Sequence, residues 1–221
     1  MDRIAEPERM DLPEEAEAYA AADFAEVNQA FARRLIELAG DLPQALAIDL
    51  GSGPADIPIR VIHLRPAWRV LALDAAEAML RIARARLIQE GLTESVRPLL
   101  CDAKQLPLRD RCADLVMSNS ILHHVTDAAA FWNEIRRTIR PGGRILVRDL
   151  RRPPTPRDAQ RLVDQHAGGE SQLLREEFFR SLLSAYAPEE VTRQLQAAKL
   201  GMLMIEVISD RHLDVHGTVD V

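Results

Sequence analysis

A chain of 221 residues, 47% hydrophobic and 28% charged, is long enough for one sizeable α/β core and too apolar to be disordered. Its formal net charge of −6 argues against a whole-domain attraction to nucleic acid or to an acidic membrane surface. No apolar run approaches the ~20 residues that span a bilayer. The acidic start, residues 1–8, has no apolar signal-peptide segment, so a cytoplasmic protein is expected.

Up to about Gly40 the pattern is helical and acidic. A short helix is expected over residues 14–19, and Phe24, Val27, Phe31, Leu35 and Leu38 fall at helical spacing on a second. From residue 45 to 150, short apolar runs (46–50, 69–73, 96–101, 113–118 and 144–150) alternate with helices expected near 57–64, 77–89 and 128–139. Continuous apolar runs separated by helices predict parallel strands covered on both faces, hence a three-layer doubly wound α/β sheet. Arg151-Arg152-Pro153-Pro154-Thr155-Pro156 continues neither a helix nor a central strand. Helices follow at 157–166 and 172–185, and Pro188-Glu189-Glu190 suits a helix first turn. The last apolar runs, 202–208 and 212–215, are joined by so short a link that they must pair antiparallel.

The chemistry begins at Asp49-Leu50-Gly51-Ser52-Gly53-Pro54-Ala55-Asp56. Gly51 and Gly53 permit a tight turn and close approach of a ligand to backbone N–H groups, with a helix N-terminus aimed at the same point. A dinucleotide fingerprint needs a third glycine where Asp56 stands, and an acid there opposes a pyrophosphate. No Lys-Ser/Thr follows the glycines, so a P-loop is also absent. Asp74 closes the second run, where its oxygens can accept both ribose hydroxyls or cap the helix beginning near Ala76. Asp102 closes the third and reaches the same edge, placed to accept from an adenine amino group or to be an ordinary loop acid. Cys101 and Cys112 form no CxxC pair and read as reduced packing thiols. The arginines between Arg136 and Arg157 read as a solvated helix face and basic linker, or else as a lure for an anionic substrate.

These motifs, in this order, resemble the S-adenosylmethionine-dependent methyltransferases with a seven-stranded Rossmann-like sheet. The resemblance covers about 45–150 and, more loosely, the flanks. It implies a mostly parallel sheet with an antiparallel last strand, N-terminal helices over residues 1–44, a methyltransferase domain over 45–221, and a helical substrate lid inserted at 151–187. It implies S-adenosylmethionine as cofactor and S-adenosylhomocysteine as product. Asp49, Gly51, Ser52 and Gly53 match the turn around the methionine tail, and Asp74 the ribose acid. Ala75 and Met79 lie near the adenine in relatives, and Asp102-Ala103 match the adenine turn. Ser118, Asn119 and the loop to His124 match the strand-four loop beside the methyl group, and Arg140-Pro141-Gly142-Gly143 the turn into strand five. This chain departs from the motif at Pro54-Ala55, where a third glycine is common; a slightly tighter cleft is expected. Tyr19, on a helix that relatives fold over the cofactor, can face the sulfonium or pack on Phe24.

Methyl transfer from a sulfonium needs mainly in-line placement, with a general base only if the acceptor must lose a proton. The candidates are His124, His123 and Asp149, with Asp210 and His212 behind them. Adjacent histidines are not expected to face one point, and the resemblance selects His124, which precedes Val125. Arg148 and Arg151 are alternative partners for Asp149. A metal held by His123, His124, Asp149 and His212 has no supporting ligand spacing, so none is expected. Gly168-Gly169 offers a hinge in the lid. The acceptor is expected to be a small molecule, without nucleic acid or membrane. A cofactor-binding subunit without turnover, and an enzyme using an S-adenosylmethionine derivative, remain the alternatives. Neither acceptor atom nor oligomeric state is written in these motifs.

Overall fold

The computed structural model describes residues 1–6, 13–22 and 24–220; of Glu15, only the backbone is described. Pro7 and Glu8 of the acidic start lie outside this set. Helices α1 (Pro13–Ala21) and α2 (Ala25–Ala39) lead into β1 (Leu46–Leu50), α3 (Asp56–Leu64), β2 (Arg69–Asp74), α4 (Glu77–Gln89), β3 (Val96–Leu100) and β4 (Ala113–Asn119). Then come α5 (Ala128–Thr138), β5 (Ile139–Leu150), α6 (Pro156–His166), α7 (Gln172–Ser184), α8 (Pro188–Ala197), β6 (Met204–Val207) and β7 (His212–Val219).

The sheet has seven strands in the order β3-β2-β1-β4-β5-β7-β6. Pairing is parallel from β3 through β5, while β7 runs antiparallel to both β5 and β6. This is the expected doubly wound arrangement with an antiparallel last strand. Alternate residues of the central strands feed two cores. Ile48, Leu50, Val116, Ile145 and Val147 meet Phe131, Trp132 and Ile135 of α5 and Val191 and Leu195 of α8. Ala47, Val70, Ala72, Leu115 and Met117 meet Phe31 and Leu35 of α2 and Val61 of α3. Burying a residue such as Leu50 or Phe131 contributes about 1.5–3 kcal/mol, so both layers are held mainly by this burial.

Local chemistry sets the helix starts. Asp127 caps α5 by accepting from Ala130 N–H at 3.0 Å, and Thr155 Oγ1 caps α6 by accepting from Asp158 N–H at 3.1 Å. Glu190 reaches back to Ala187 N–H at 2.7 Å, as the Pro188-Glu189-Glu190 start suggested.

Two expectations are corrected. Phe24 precedes α2 and, like Val27, is exposed, because the buried stripe begins only at Phe31, where the helix reaches the sheet. Strand β7 continues past Val215 to Val219, because Gly143 pairs with Val219 beyond the apolar run, and β5 begins at Ile139, because Ile139 pairs with Ala113 of β4. The chain leaves β1 for β2 on one side and returns to β4 on the other, which places a topological switch, and so a crevice, at the carboxyl ends of β1 and β4.

Candidate active site

Gly51 and Gly53 adopt φ of +69° and +51°, the left-handed region that glycine enters without penalty. The turn is fastened to β2: the N–H groups of Gly51 and Ser52 both donate to Leu73 O, at 2.8 and 2.9 Å. A Cβ on Gly51 would lie 2.1 Å from Cγ2 of Ile121, so the strand-four loop rests directly on the bare glycine. Ala55 takes φ of +63° just before α3. It therefore occupies, at some strain, a backbone conformation that glycine would adopt freely.

Asp74 closes the other side of the turn. Its Oδ2 accepts from Gly53 N–H at 2.7 Å and its Oδ1 from Ala76 N–H at 2.8 Å, so it orders both the glycine turn and the approach to α4. Asp49 is buried, and desolvation followed by the charge of Asp74 pushes its carboxyl well above its usual range. Asp56, the acid that opposed a pyrophosphate, is paired with Arg60 at 2.8 Å and accepts from Asn28 Nδ2 at 2.8 Å. It joins α2 to α3 rather than standing bare.

Two cavities meet at Gly51. The larger, about 490 Å³, runs from Asp49, Ser52, Gly53 and Asn119 to Tyr19 and Asn28. The smaller, about 90 Å³, is bordered by Asp74, Ala75, Asp102, Ala103, Ile121 and His124. Tyr19 stacks on Phe24 with ring centroids 5.1 Å apart, and it also lies 4.0 Å from the point a Gly53 Cβ would occupy. Burial, then the carboxylates of Asp74 and Asp56, push its phenol up to about 12. Ser52 Oγ is buried without a hydrogen-bond partner.

Three expected cofactor residues are placed differently from the rest. Met79 packs against Ala16 of α1 and lines neither cavity. Ser118 is fully buried and donates to Leu50 O at 2.9 Å, tying β4 to β1. Asp102 borders the small cavity, but its Oδ2 lies 3.1 Å from Lys104 Nζ and its Oδ1 accepts from Lys104 N–H. The Cys101 thiol, pushed up to about 11 by burial and then by Asp102 and Asp74, is a packing group.

Beyond Ser120 the strand-four loop forms a tight turn, with His124 N–H donating to Ile121 O and Val125 N–H to Leu122 O. Asp149, at the end of β5, is its anchor: it accepts from Leu122 N–H at 2.5 Å and contacts His123 Nδ1 at 2.6 Å. Arg148 and Arg151 do not pair with it. Arg148 forks onto Asp214, and Arg151 donates to Ser209 O. Arg137, Arg140 and Arg152 likewise pair with acids, so about half of the arginine-rich stretch is neutralised structure.

The expectation that His123 and His124 diverge is overturned. Their rings lie 4.2 Å apart, and both approach Oε1 of Glu6, His123 Nε2 at 3.5 Å and His124 Nδ1 at 3.3 Å. Burial pulls His123 down, but Asp149 and then Glu6 outweigh it and leave the imidazole raised. Glu6 was not legible as a site residue, because it stands in a short acidic stretch with no periodicity. Asn28 also escaped, since its bond to Asp56 exists only across elements, and the strand-four motif named Ile121 without its contact to Gly51. Asp210 is engaged with His166 at 2.7 Å, and His212 with Ser209 at 3.3 Å, away from the histidine pair.

A family model described as a methyltransferase domain matches residues 48–147, the stretch that builds both cavities and the strand-four loop. Residues 48–147 are thus similar to a methyltransferase domain. The chain is 32% identical over 126 residues to the ubiquinone/menaquinone biosynthesis C-methyltransferase UbiE of Acidiphilium cryptum, covering 57% of this chain and 50% of that protein. The match thus spans about half the length of that relative. A SAM-dependent methyltransferase from Aquifex aeolicus has the same fold, with a TM-score of 0.69 and 16% identity over 94% of this chain and 98% of that one. Phosphoethanolamine N-methyltransferase 2 of Haemonchus contortus, in complex with phosphomonomethylethanolamine and S-adenosylhomocysteine, superposes with a TM-score of 0.72 at 15% identity, over 94% of this chain and 57% of that one. Among the described residues, no helix is long and apolar enough to cross a membrane.

Proposed function

We propose that this chain binds S-adenosylmethionine across the two joined cavities and transfers its methyl group to a small-molecule acceptor that approaches past His124. The observation carrying this reading is the polar lining of the larger cavity. A buried carboxylate, Asp49, is held in an environment that penalises its charge, beside an unpartnered Ser52 hydroxyl and a glycine turn at a helix N-terminus. A ligand bearing both an ammonium and a carboxylate answers all three, and the amino-acid tail of the cofactor is such a group. Asp74 and Asp102 then border the smaller cavity, as ribose and adenine partners would.

When bound, the cofactor supplies a methyl group on a sulfonium that departs as a neutral thioether. The protein's part is placement, which can supply roughly 7–11 kcal/mol when donor and acceptor are near attack geometry. Ile121 packs on Gly51 and closes the turn from the acceptor side. His124 is the one of the three expected catalytic residues that borders a cavity, while Asp149 and His123 position the loop that presents it. Residues 1–44 act as a cap and 151–187 as a lid over the acceptor. The acidic net charge and paired arginines favour a cytoplasmic metabolite enzyme over one acting on nucleic acid or at a membrane.

Calorimetry with S-adenosylhomocysteine tests the cofactor reading, and absence of binding at high micromolar concentration would refute it. His124→Ala is expected to lower methyl transfer about 10²–10⁴-fold if it handles the acceptor's proton, with a far smaller change in S-adenosylhomocysteine affinity. Equal turnover by that variant removes His124 from the reaction.

A further inference from the structure

The first six residues are strapped across the carboxyl edge of the sheet. The Met1 ammonium donates to Pro154 O at 3.2 Å, and Ile4 N–H donates to Leu183 O at 3.1 Å. The Arg3 guanidinium lies 4.2 Å from the centroid of the Tyr186 ring and donates to the carbonyls of Ser184, His123 and Val125 at 2.6, 2.7 and 3.3 Å. These contacts drive Glu6 between α7 and the strand-four loop.

Once there, the Glu6 side chain is only 10% exposed. Its Oε2 accepts from Ser181 Oγ at 3.3 Å, while its Oε1 is buried with no hydrogen-bond partner. Leaving a buried carboxylate oxygen without a hydrogen bond is costly, and two imidazole nitrogens stand close around it. His123 Nε2 is 3.5 Å away and His124 Nδ1 3.3 Å, and the three ligand atoms all lie within 4.8 Å of one another.

Those separations have a chemical meaning. Nitrogen and oxygen ligands at about 2.0–2.2 Å from a tetrahedral zinc ion are themselves about 3.3–3.6 Å apart. The second coordination layer is also in place. Asp149 holds His123 through Nδ1 at 2.6 Å, and the tautomer with a proton on Nδ1 leaves the Nε2 lone pair directed at the Glu6 oxygen. The Arg3 donors go to carbonyl and hydroxyl oxygens, so Arg3 does not occupy the ion's position.

We propose that Glu6, His123 and His124 bind one divalent transition-metal ion of the zinc type, with Asp149 as the outer carboxylate that orients His123. Three protein ligands leave a fourth position for water or for an acceptor atom. The ion clasps the N-terminal strap onto the strand-four loop. Neither the glycine turn nor the cofactor motifs require it, and the site shares only the strand-four loop, through His123 and His124, with the methyl-transfer reading.

The test uses the full chain, stripped with a chelator and titrated with Co²⁺. The wild type is expected to take up one Co²⁺ with intense tetrahedral visible absorption, displaced by Zn²⁺, and to gain thermal stability with either ion. Glu6→Gln, which preserves the side-chain shape, and His124→Ala should each weaken the metal at least about tenfold, and Asp149→Asn by about 10–100-fold. His166→Ala, which alters the exposed pair with Asp210, should leave the Co²⁺ spectrum unchanged. Absence of a tetrahedral Co²⁺ signal in the wild type overturns the proposal, whatever the variants do. Equal Co²⁺ affinity in wild type, Glu6→Gln and His124→Ala overturns it too. Uptake of Co²⁺ without S-adenosylhomocysteine binding would sink the methyltransferase reading alone, and the reverse result would sink the metal site alone.

Discussion

The glycine turn and the strand-four loop face each other across the cleft and are built in opposite ways. The turn is made from one short stretch, β1 to the start of α4, and its hydrogen bonds run between Gly51, Ser52 or Gly53 and Leu73 or Asp74. The strand-four loop is held by side chains from remote parts of the chain: Asp149 of β5, Ser184 at the end of α7 and Tyr186 just beyond it, and Arg3 and Glu6 of the N-terminal strap. Backbone geometry alone specifies a binding surface for a group common to many enzymes. Side chains assembled over long range specify what is particular to one.

The contact between the two regions is the sharpest place to break this division. Gly51→Ala puts a methyl group on Ile121 in a left-handed backbone, and about 2–4 kcal/mol of stability is expected to be lost together with S-adenosylhomocysteine binding. Adding Ile121→Ala should recover the steric part but not the backbone part, as a double-mutant cycle by urea denaturation would show. Full recovery would mean that the φ of Gly51 carries no cost.

Asp74→Ala comes next. It leaves the Gly53 and Ala76 N–H groups without their acceptor and removes the acid that borders the smaller cavity. S-adenosylhomocysteine affinity should fall about 10–100-fold by calorimetry, from lost charge-assisted bonds of about 1.5–3 kcal/mol. Co²⁺ uptake at the histidine pair should be unaffected, and a parallel loss there would show that the two regions are one unit.

Acid should loosen the end of β5 through His212. His212 opposes Leu150 at the end of β5, and burial, then Arg211, bring its imidazole down to about 4; Arg148 adds to this, while Asp149 and Asp214 oppose it. The unfolded chain binds the proton at its ordinary value near 6.5, so His212 favours folding above that pH and ceases to do so as pH falls through about 4. Discounted for partial exposure, the stability lost over that window is about 1–2 kcal/mol. His212→Gln should flatten the pH dependence between 4 and 7 in urea titrations. An unchanged slope would place the acid sensitivity elsewhere.

The smallest effect belongs to the turn. Ala55→Gly relieves a φ of +63° worth about 1–2 kcal/mol and gives back about 0.5–1 kcal/mol through the unfolded chain. A rise in Tm of a few degrees is expected, and a fall would show that Ala55 is not strained.

By itself the sequence determined the layered α/β sheet and the chain order of its strands and helices, and it singled out the residues proposed for the cofactor side of the cleft. These rest on periodicity, turn chemistry and spacing within a few tens of residues, which are properties of the chain read locally. Asp49, Gly51, Gly53, Asp74 and Asp102 were legible because each ends or follows an apolar run. The tertiary structure alone decided that Phe24 lies at the cleft and Val27 on the surface and not in the core, that Met79 packs on α1, and that Ser118 laces two strands. It also decided that two adjacent histidines converge on Glu6. Such placements depend on where one element comes to rest on another, and a distance between groups far apart in the chain leaves no period or spacing in the sequence.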